Sequence, residues 1–391
     1  MKLWNPKGNV NSKIEEYTVG NDYLLDLALV TYDCQASIAH AEMLGEIGIL
    51  DESEVRQLVG ELDHIITLAE EGQFDISPQQ EDCHTAIENH LTQQLGDLGK
   101  KIHTARSRND QVVTALRLYY RDQLERMTAL VHEFPAALEG VQKQFGDVEI
   151  PGYTHTRKAM PSSVALWTGA FRESMQENLR AIEHVQHMLD QSPLGTGAGY
   201  GIPLEIDRQC TAEKLGFSRI QENSIYVQNS RGKFEGSILN ACDQVMYDLN
   251  RMSSDLIFFS LPDFGIFELP EEICTGSSIM PQKHNPDVLE LVRAKYHEVL
   301  GLEFQVKSLS ANLISGYHRD LQLTKEPVMR GLTTTLDSLE VMILAVKKLR
   351  VNEERAHQAM TEDLYATQRV YELVKEGIPF REAYKEISKE Y

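Results

Sequence analysis

From Phe234 onward the apolar residues fall at Phe234, Ile238, Ala241, Val245, Leu249, Met252, Leu256 and Phe259, spacings of three and four that keep one helical face apolar. This predicts a single long helix, on the order of 40 Å at about 1.5 Å per residue. The same period runs through Val112, Leu116, Tyr119, Met127, Leu130, Phe134, Leu138, Val141 and Phe145, tolerating a polar Gln123, and through Val164, Trp167, Phe171, Met175, Leu179 and Ile182. Pro135 lies inside the first of these two and predicts a kink. Residues 286–309 and 327–349 read as further long helices, with Asn285 a candidate N-cap and Pro286 at the first helical position. Shorter helices are expected over 22–47 and 51–72, and short helical pieces broken at Gly377 and Pro379 over 351–391. Alternating strand patterns with Gly-rich turns are nearly absent. The expected fold class is therefore all-α, built round a central bundle of long helices. Helix length changes along the chain and sets three expected domains: an N-terminal helical domain at 1–104, the central bundle at 105–350 and a short C-terminal helical domain at 351–391.

Composition narrows the partners. The chain has 391 residues, more than one ordinary core, with an apolar fraction of 42% and 25% charged residues. Lys plus Arg number 38 against 59 Asp plus Glu, a net charge of -21, which repels nucleic acid and anionic membranes. Neither is expected as a partner, and an anionic small molecule needs a local cationic pocket. The five cysteines are scattered without a C-x-x-C pair, so neither zinc nor a disulfide framework is suggested. The N-terminal stretch MKLWNPKGNVNSKIEEY lacks the apolar core of a secretory leader, and no run approaches the roughly 18 apolar residues of a membrane span. A soluble, cytoplasmic protein is expected.

Four polar clusters interrupt the helical pattern: HTARSRNDQ at 103–111, PGYTHTRKAMP at 151–161, TGSSIMPQKHNPD at 275–287 and GYHRDLQLTKE at 316–326. Taken singly, each reads as solvated caps and turns. Together they lie at or near helix ends, and a bundle can bring such ends from distant parts of the chain into one ligand site. The 275–287 stretch joins a potential base, Ser277, to a cation, Lys283, in a segment punctuated by Gly and Pro that is able to open and close. A glycine-rich string, PLGTGAGYGIP at 193–203, invites a nucleotide-binding reading, but its third glycine is out of register and it follows a helix rather than a strand.

GSSIMPQKHNPD resembles the signature of the fumarase/aspartase superfamily, whose members eliminate fumarate from succinyl-type substrates. SRNDQV at 107–112, PGYTH at 151–155, PLGTGAG at 193–199 and YHRDLQLTKE at 317–326 resemble those of the argininosuccinate lyases, and the likeness extends in order from SIAHAEML at Ser37 to GIPFREAYK. The resemblance implies three mostly helical domains, a homotetramer with a twenty-helix core, and active sites shared between subunits. The implied reaction splits argininosuccinate into arginine and fumarate without a cofactor, the last step of arginine biosynthesis. A proton leaves carbon beside a carboxylate, so the carbanion needs fixed cations or amide dipoles.

By the same likeness Ser277 is the base, acting as an alkoxide since a neutral serine is far too weak. Lys283 and Asn285 bind the succinyl carboxylates, and Lys283 also stabilises the carbanion. His155 is the catalytic histidine, paired with Glu290, and a carboxylate-held imidazole can relay protons near neutral pH. Ser107, Arg108 and Asn109 hold carboxylate and amino groups, with Thr154 in the binding set. Tyr317, Gln322 and Lys325 contact the arginine portion, where charge repulsion from a guanidinium directs Lys325 to the amino-acid carboxylate. Arg231 matches a family arginine near the site, although its usual acidic neighbours are Ser230 and Gly232 here.

Other departures are Thr156 and Arg157 after the histidine and His284 for a lysine; an extra guanidinium there could favour an N-acylated argininosuccinate. The chain ends with GIPFREAYKEISKEY, so the third domain is expected to be abbreviated. His84 and Glu88 sit at i,i+4, but a third ligand is missing and such pairs are common on solvated faces, so no metal is expected. The alternatives are a sister lyase acting on adenylosuccinate, aspartate or malate, and a non-enzymatic protein of the lens-crystallin kind. The leaving-group clusters oppose the first, and the presence of His155 and Ser277 opposes the second.

Overall fold

The computed structural model describes residues 11–391; the leader-free reading of the N-terminus rests largely on residues 1–10, outside the described part. Helices dominate, and the long ones fall where the apolar period places them: Arg108–Phe145, Val164–Leu189, Lys233–Phe259, Asp287–Ser310 and Lys325–Lys347. The periodic positions are the buried ones. Ile238, Val245, Leu249, Met252 and Leu256 are wholly buried along Lys233–Phe259, each such side chain contributing about 1.5–3 kcal/mol by leaving water. Pro135 sits inside Arg108–Phe145 without ending it.

Two helix starts differ from expectation. Asn285 does not cap the helix after it but pairs with Thr275 in a short antiparallel ladder. The Pro286 carbonyl accepts the Glu290 N–H at 3.1 Å, so Pro286 takes the cap position and the helix begins at Asp287. Lys325–Lys347 begins earlier than its periodicity, because a 3-10 turn at Arg319–Thr324 leads straight into it.

The chain forms two compact units, each assembled from separated stretches: residues up to 125 with 183–239 and 302–330, and 126–182 with 240–301 and 331–391. In the first unit Val30–Glu46 packs on Glu52–Glu70. The second of these helices starts at a capping box, the Asp51 carboxylate accepting the Ser53 and Glu54 N–H groups at 2.8 and 2.9 Å while the Glu54 carboxylate accepts the Asp51 N–H at 3.1 Å. Asp110 is the organising group further on. One of its oxygens accepts the Ser107 N–H at 2.9 Å, fixing the start of Arg108–Phe145, and the other accepts the N–H groups of Gly195 and Gly197 at 3.1 and 2.7 Å. The glycine string read from the sequence thus wraps a buried carboxylate. Both glycines hold left-handed backbone, φ 85° and 58°, which lets their two N–H groups converge on one oxygen.

In the second unit Trp167 packs 4.9 Å from the Phe267 ring and donates its indole N–H to Asp255 at 3.0 Å. The sequence reading missed a β-hairpin here, Glu149–Thr154 against Arg157–Ser163. Its turn places His155 and Thr156 at φ 51° and 57°, the left-handed pair that a two-residue turn demands, but without the Gly or Asn that normally announces it. The Thr156 hydroxyl donates to the His155 carbonyl at 2.6 Å and offsets part of the strain. The hairpin is braced along its length. Tyr153 packs edge-on to Phe258 at 5.0 Å, Lys158 donates to the Ala359 carbonyl at 2.5 Å, and the Tyr365 hydroxyl donates to Glu149 at 3.0 Å.

Two glycine substitutions should have opposite effects on stability. A Cβ on Gly99 would lie 2.3 Å from the Leu91 carbonyl oxygen, whereas one on Gly140, inside Arg108–Phe145, meets nothing within 4 Å. Gly99→Ala is expected to lose about 3 kcal/mol and Gly140→Ala to gain about 1 kcal/mol, as read by chemical denaturation.

Candidate active site

A pocket in the first unit gathers Arg108, Asn109, Tyr317, Gln322 and Lys325, all expected as substrate binders, and adds Asp22, Glu81, Asp82, Arg231 and Arg319. The acids prepare the Arg108 guanidinium. Asp82 lies 3.0 Å from Nε and Glu81 3.2 Å from Nη1, while Nη2 donates to the Thr85 hydroxyl at 2.6 Å. Asp82 also caps the helix Cys83–Leu95, accepting the Thr85 N–H at 2.9 Å. Burial pushes the Asp82 carboxyl up, but His84, Arg108 and the Thr85 N–H outweigh it and hold it below the usual carboxylate range. Glu81 reaches its position through left-handed backbone at φ 72°, a cost of about 1–2 kcal/mol for a residue with a side chain.

Lys325 is buried at the pocket's edge with its ammonium 2.5 Å from Asp26 and 3.4 Å from Asp22. Burial pulls its pKa down, but the two carboxylates outweigh burial and hold it above the ordinary value. The other Asp26 oxygen accepts the Cys83 N–H at 3.1 Å. Arg231 is buried with its guanidinium 5.4 Å over the Tyr317 ring, and Gln322 donates to the Thr18 carbonyl at 3.1 Å. Ser107 does not line the pocket. Its hydroxyl accepts the Asn109 N–H at 3.3 Å at the helix start.

The second unit carries the remaining candidates. Thr275–Gly276 pairs antiparallel with His284–Asn285, and the Thr275 hydroxyl donates to the Asp287 carboxylate, so the ends of the loop at 277–283 are pinned. Ser277 is half-buried inside it, its oxygen accepting the N–H groups of Ile279 and Met280 at 3.3 and 3.1 Å. Two amide dipoles aimed at one oxygen favour its anionic form. Lys283 is exposed, Asn285 half-buried, and Glu290 exposed on the first turn of Asp287–Ser310. Thr154 and His155 are exposed at the hairpin turn. The expected pairing of His155 with Glu290 is not among the ion pairs formed by the described residues of the single chain.

The chain matches the model of a lyase family over residues 1–301. It is 52% identical to the argininosuccinate lyase of Thermotoga neapolitana over 390 residues, covering 100% of this chain and 98% of that one. The chain belongs to the argininosuccinate lyase family. A second family member, from Sorangium cellulosum, is 42% identical over 100% of this chain and 90% of its own. Among solved structures, EDDS lyase in complex with formate superposes with a TM-score of 0.83 at 25% identity, over 96% of this chain and 74% of that chain. A class II fumarase from Schistosoma mansoni superposes at 0.79 and 16% identity, over 96% and 91%, a likeness of fold alone.

The motifs of the argininosuccinate lyase family led to Arg108, Arg231 and Lys325 in the pocket but not to Arg319 or to the acids. Asp22 and Asp26 are four apart on short helical turns, a spacing indistinguishable in sequence from a solvated face, and Glu81 and Asp82 read as an ordinary helix entry. His84 also departs from expectation. It is buried rather than solvated, with Nδ1 2.9 Å from Asp33; burial lowers its pKa, but Asp33 and Asp82 outweigh burial and raise it. Glu88 faces His103 at 3.4 Å. Asp26, Cys83 and His84 bring ligand-type atoms within 4.8 Å of one another. Both Asp26 oxygens are already engaged, one by an ammonium, which disfavours a cation at that point.

Removing one partner of a buried ion pair leaves the other charged and uncompensated. Asp26→Ala is expected to cost about 3–5 kcal/mol in urea unfolding.

Proposed function

We propose that this chain cleaves argininosuccinate to arginine and fumarate by β-elimination, the last step of arginine biosynthesis, without a cofactor. The observation that carries the proposal is the 52% identity, along the whole chain, to an argininosuccinate lyase. The pocket's charges support it. Argininosuccinate bears carboxylates at both ends together with an ammonium and a guanidinium, and a pocket presenting Arg108, Arg231, Arg319 and Lys325 beside Asp22, Glu81 and Asp82 suits such a mixed ion.

In this reading Ser277, as its alkoxide, takes the proton from the succinyl carbon next to a carboxylate. Lys283 and Asn285 hold the succinyl carboxylates, and the Lys283 ammonium meets the charge that develops there. The bond from the adjacent carbon to the guanidino nitrogen then breaks, its electron pair leaving with the nitrogen, and His155 with Glu290 relays protons. Arg108, Asn109 and Thr154 bind and orient the substrate; Tyr317, Gln322 and Lys325 hold the arginine half. The N–H groups of Ile279 and Met280 on the Ser277 oxygen favour the base assignment.

The assembly belongs to the same proposal: a cytoplasmic homotetramer whose active sites are completed by residues of different subunits. The exposure of His155, Lys283 and Glu290 supports it. So do large apolar side chains standing out from long helices, Leu166 at 67%, Leu291 at 60% and Phe304 at 74% exposure.

The test is fumarate release, followed by ultraviolet absorbance, from argininosuccinate, adenylosuccinate and aspartate. Fumarate from argininosuccinate alone is expected; release only from another substrate would refute the proposal. Ser277→Ala should keep the helical circular dichroism and lose about 100-fold or more in kcat. Near-full activity would remove Ser277 as the base.

A further inference from the structure

Arg117 is 3% exposed, and its hydrogen bonds run only to neutral groups. Nη1 donates to the Gln191 carbonyl at 2.5 Å, and Nη2 to the side-chain oxygen of Gln221 at 2.5 Å and the Ser230 hydroxyl at 3.4 Å. The Phe234 ring centre lies 5.1 Å from the guanidinium carbon. Burial pulls the Arg117 pKa down to about 9, against the opposing pull of Glu235 and with a further push from Arg219. Glu235 acts from beyond ion-pair distance, one of its oxygens accepting the Gly232 N–H at 2.6 Å. A buried charge is ordinarily met by an anion in contact with it. Among the described residues Arg117 has none.

The same guanidinium lines a cavity of about 380 Å³, within the size range of small-molecule sites. The cavity lies wholly in the first unit and shares no residue with the pocket round Lys325. Part of its wall is cationic. Arg121 is half-buried there, with Nη1 on the Leu215 carbonyl at 2.9 Å and its guanidinium 5.5 Å over the Phe217 ring. Neither arginine's Nε–H has an acceptor among the described residues. Another part is apolar, made by Leu124, Leu189 and Phe217. Of the two acids in the lining, Asp190 already accepts the Ser218 N–H at 2.8 Å, and Glu125 is exposed to water. In a chain of net charge -21, this cavity holds a deep guanidinium that no acid of the chain meets.

We propose that the cavity is a second ligand site, which takes a small organic oxyanion: its carboxylate or phosphate group between Arg117 and Arg121, its apolar part on Leu124, Leu189 and Phe217. Guanidinium N–H groups match the oxygens of either head group, and the ligand supplies the counter-charge that Arg117 lacks. The site is distinct from the one assigned to argininosuccinate and goes beyond that reading.

The test is calorimetric titration of the intact protein with benzoate, phenyl phosphate and inorganic phosphate. Benzoate or phenyl phosphate should bind saturably at one equivalent per chain, and the tighter of the two names the head group. Inorganic phosphate, without an apolar part to bury, should bind about 10-fold or more weakly than phenyl phosphate. Arg121→Gln, with its fold checked by circular dichroism, should weaken binding by about 10-fold or more. Glu125→Lys changes an exposed side chain and should strengthen it by about 3-fold. Saturating L-arginine should leave the titration unchanged.

No saturable binding of any probe up to about 10 mM would overturn the proposal. So would equal affinity in wild type and Arg121→Gln, or no gain in Glu125→Lys, which keeps the test open should the first variant not fold. Displacement by L-arginine would place the ligand in the pocket round Lys325 instead, and inorganic phosphate as tight as phenyl phosphate would remove the apolar subsite. None of these readouts needs turnover, so they stand or fall apart from the proposed lyase activity.

Discussion

The ion pair between Lys325 and Asp26 fixes the pocket of the first unit. An ammonium moved out of water without a partner costs several kcal/mol, so its counter-ion must be placed as firmly as the ammonium itself. Asp26 meets that condition by accepting the N–H of Cys83 at the start of Cys83–Leu95. One carboxylate therefore ties three separated stretches together: the turn around Asp26, the helix whose cap is Asp82, and the start of Lys325–Lys347. Arg108 is positioned from the same helix entry through Asp82, Glu81 and Thr85. The orientation of both cations depends on how the chain turns between residues 80 and 85.

The candidate groups differ in character between the two units. Those of the pocket are buried or half-buried and mutually paired, which gives a preorganised receptor at little cost when a ligand arrives. Those of the second unit are held by their backbone rather than by side-chain partners. A braced hairpin sets His155, and a small ladder pins the ends of the 277–283 loop while Ile279 within it stays 85% exposed. In the proposed function, binding asks for fixed charges, whereas proton transfer followed by product release asks for a segment that can move.

Much of this was legible in the sequence, for a physical reason. Long helices bury a stripe at every third and fourth residue, so Phe234 to Phe259 announces itself, and the signature around Ser277 needs no fold to be noticed. The hairpin at 149–163 left no such trace, because its turn relies on strained His155 and Thr156 in place of Gly or Asn. The carboxylates of the pocket were hidden for another reason. Asp22, Asp26, Glu81 and Asp82 are unremarkable in composition and become informative only when folding removes them from water and sets them against Lys325 and Arg108. The glycines at 195 and 197 were visible but ambiguous, and only Asp110 between their N–H groups gives them a purpose.

If the pocket is a preformed receptor and Ser277 acts only on the bound substrate, binding and chemistry are separable. Calorimetric titration of argininosuccinate into Ser277→Ala tests this directly. The account predicts saturable binding without fumarate release, displaced by L-arginine at the concentrations that displace it from wild type. Absence of binding, or binding that L-arginine does not displace, would contradict it.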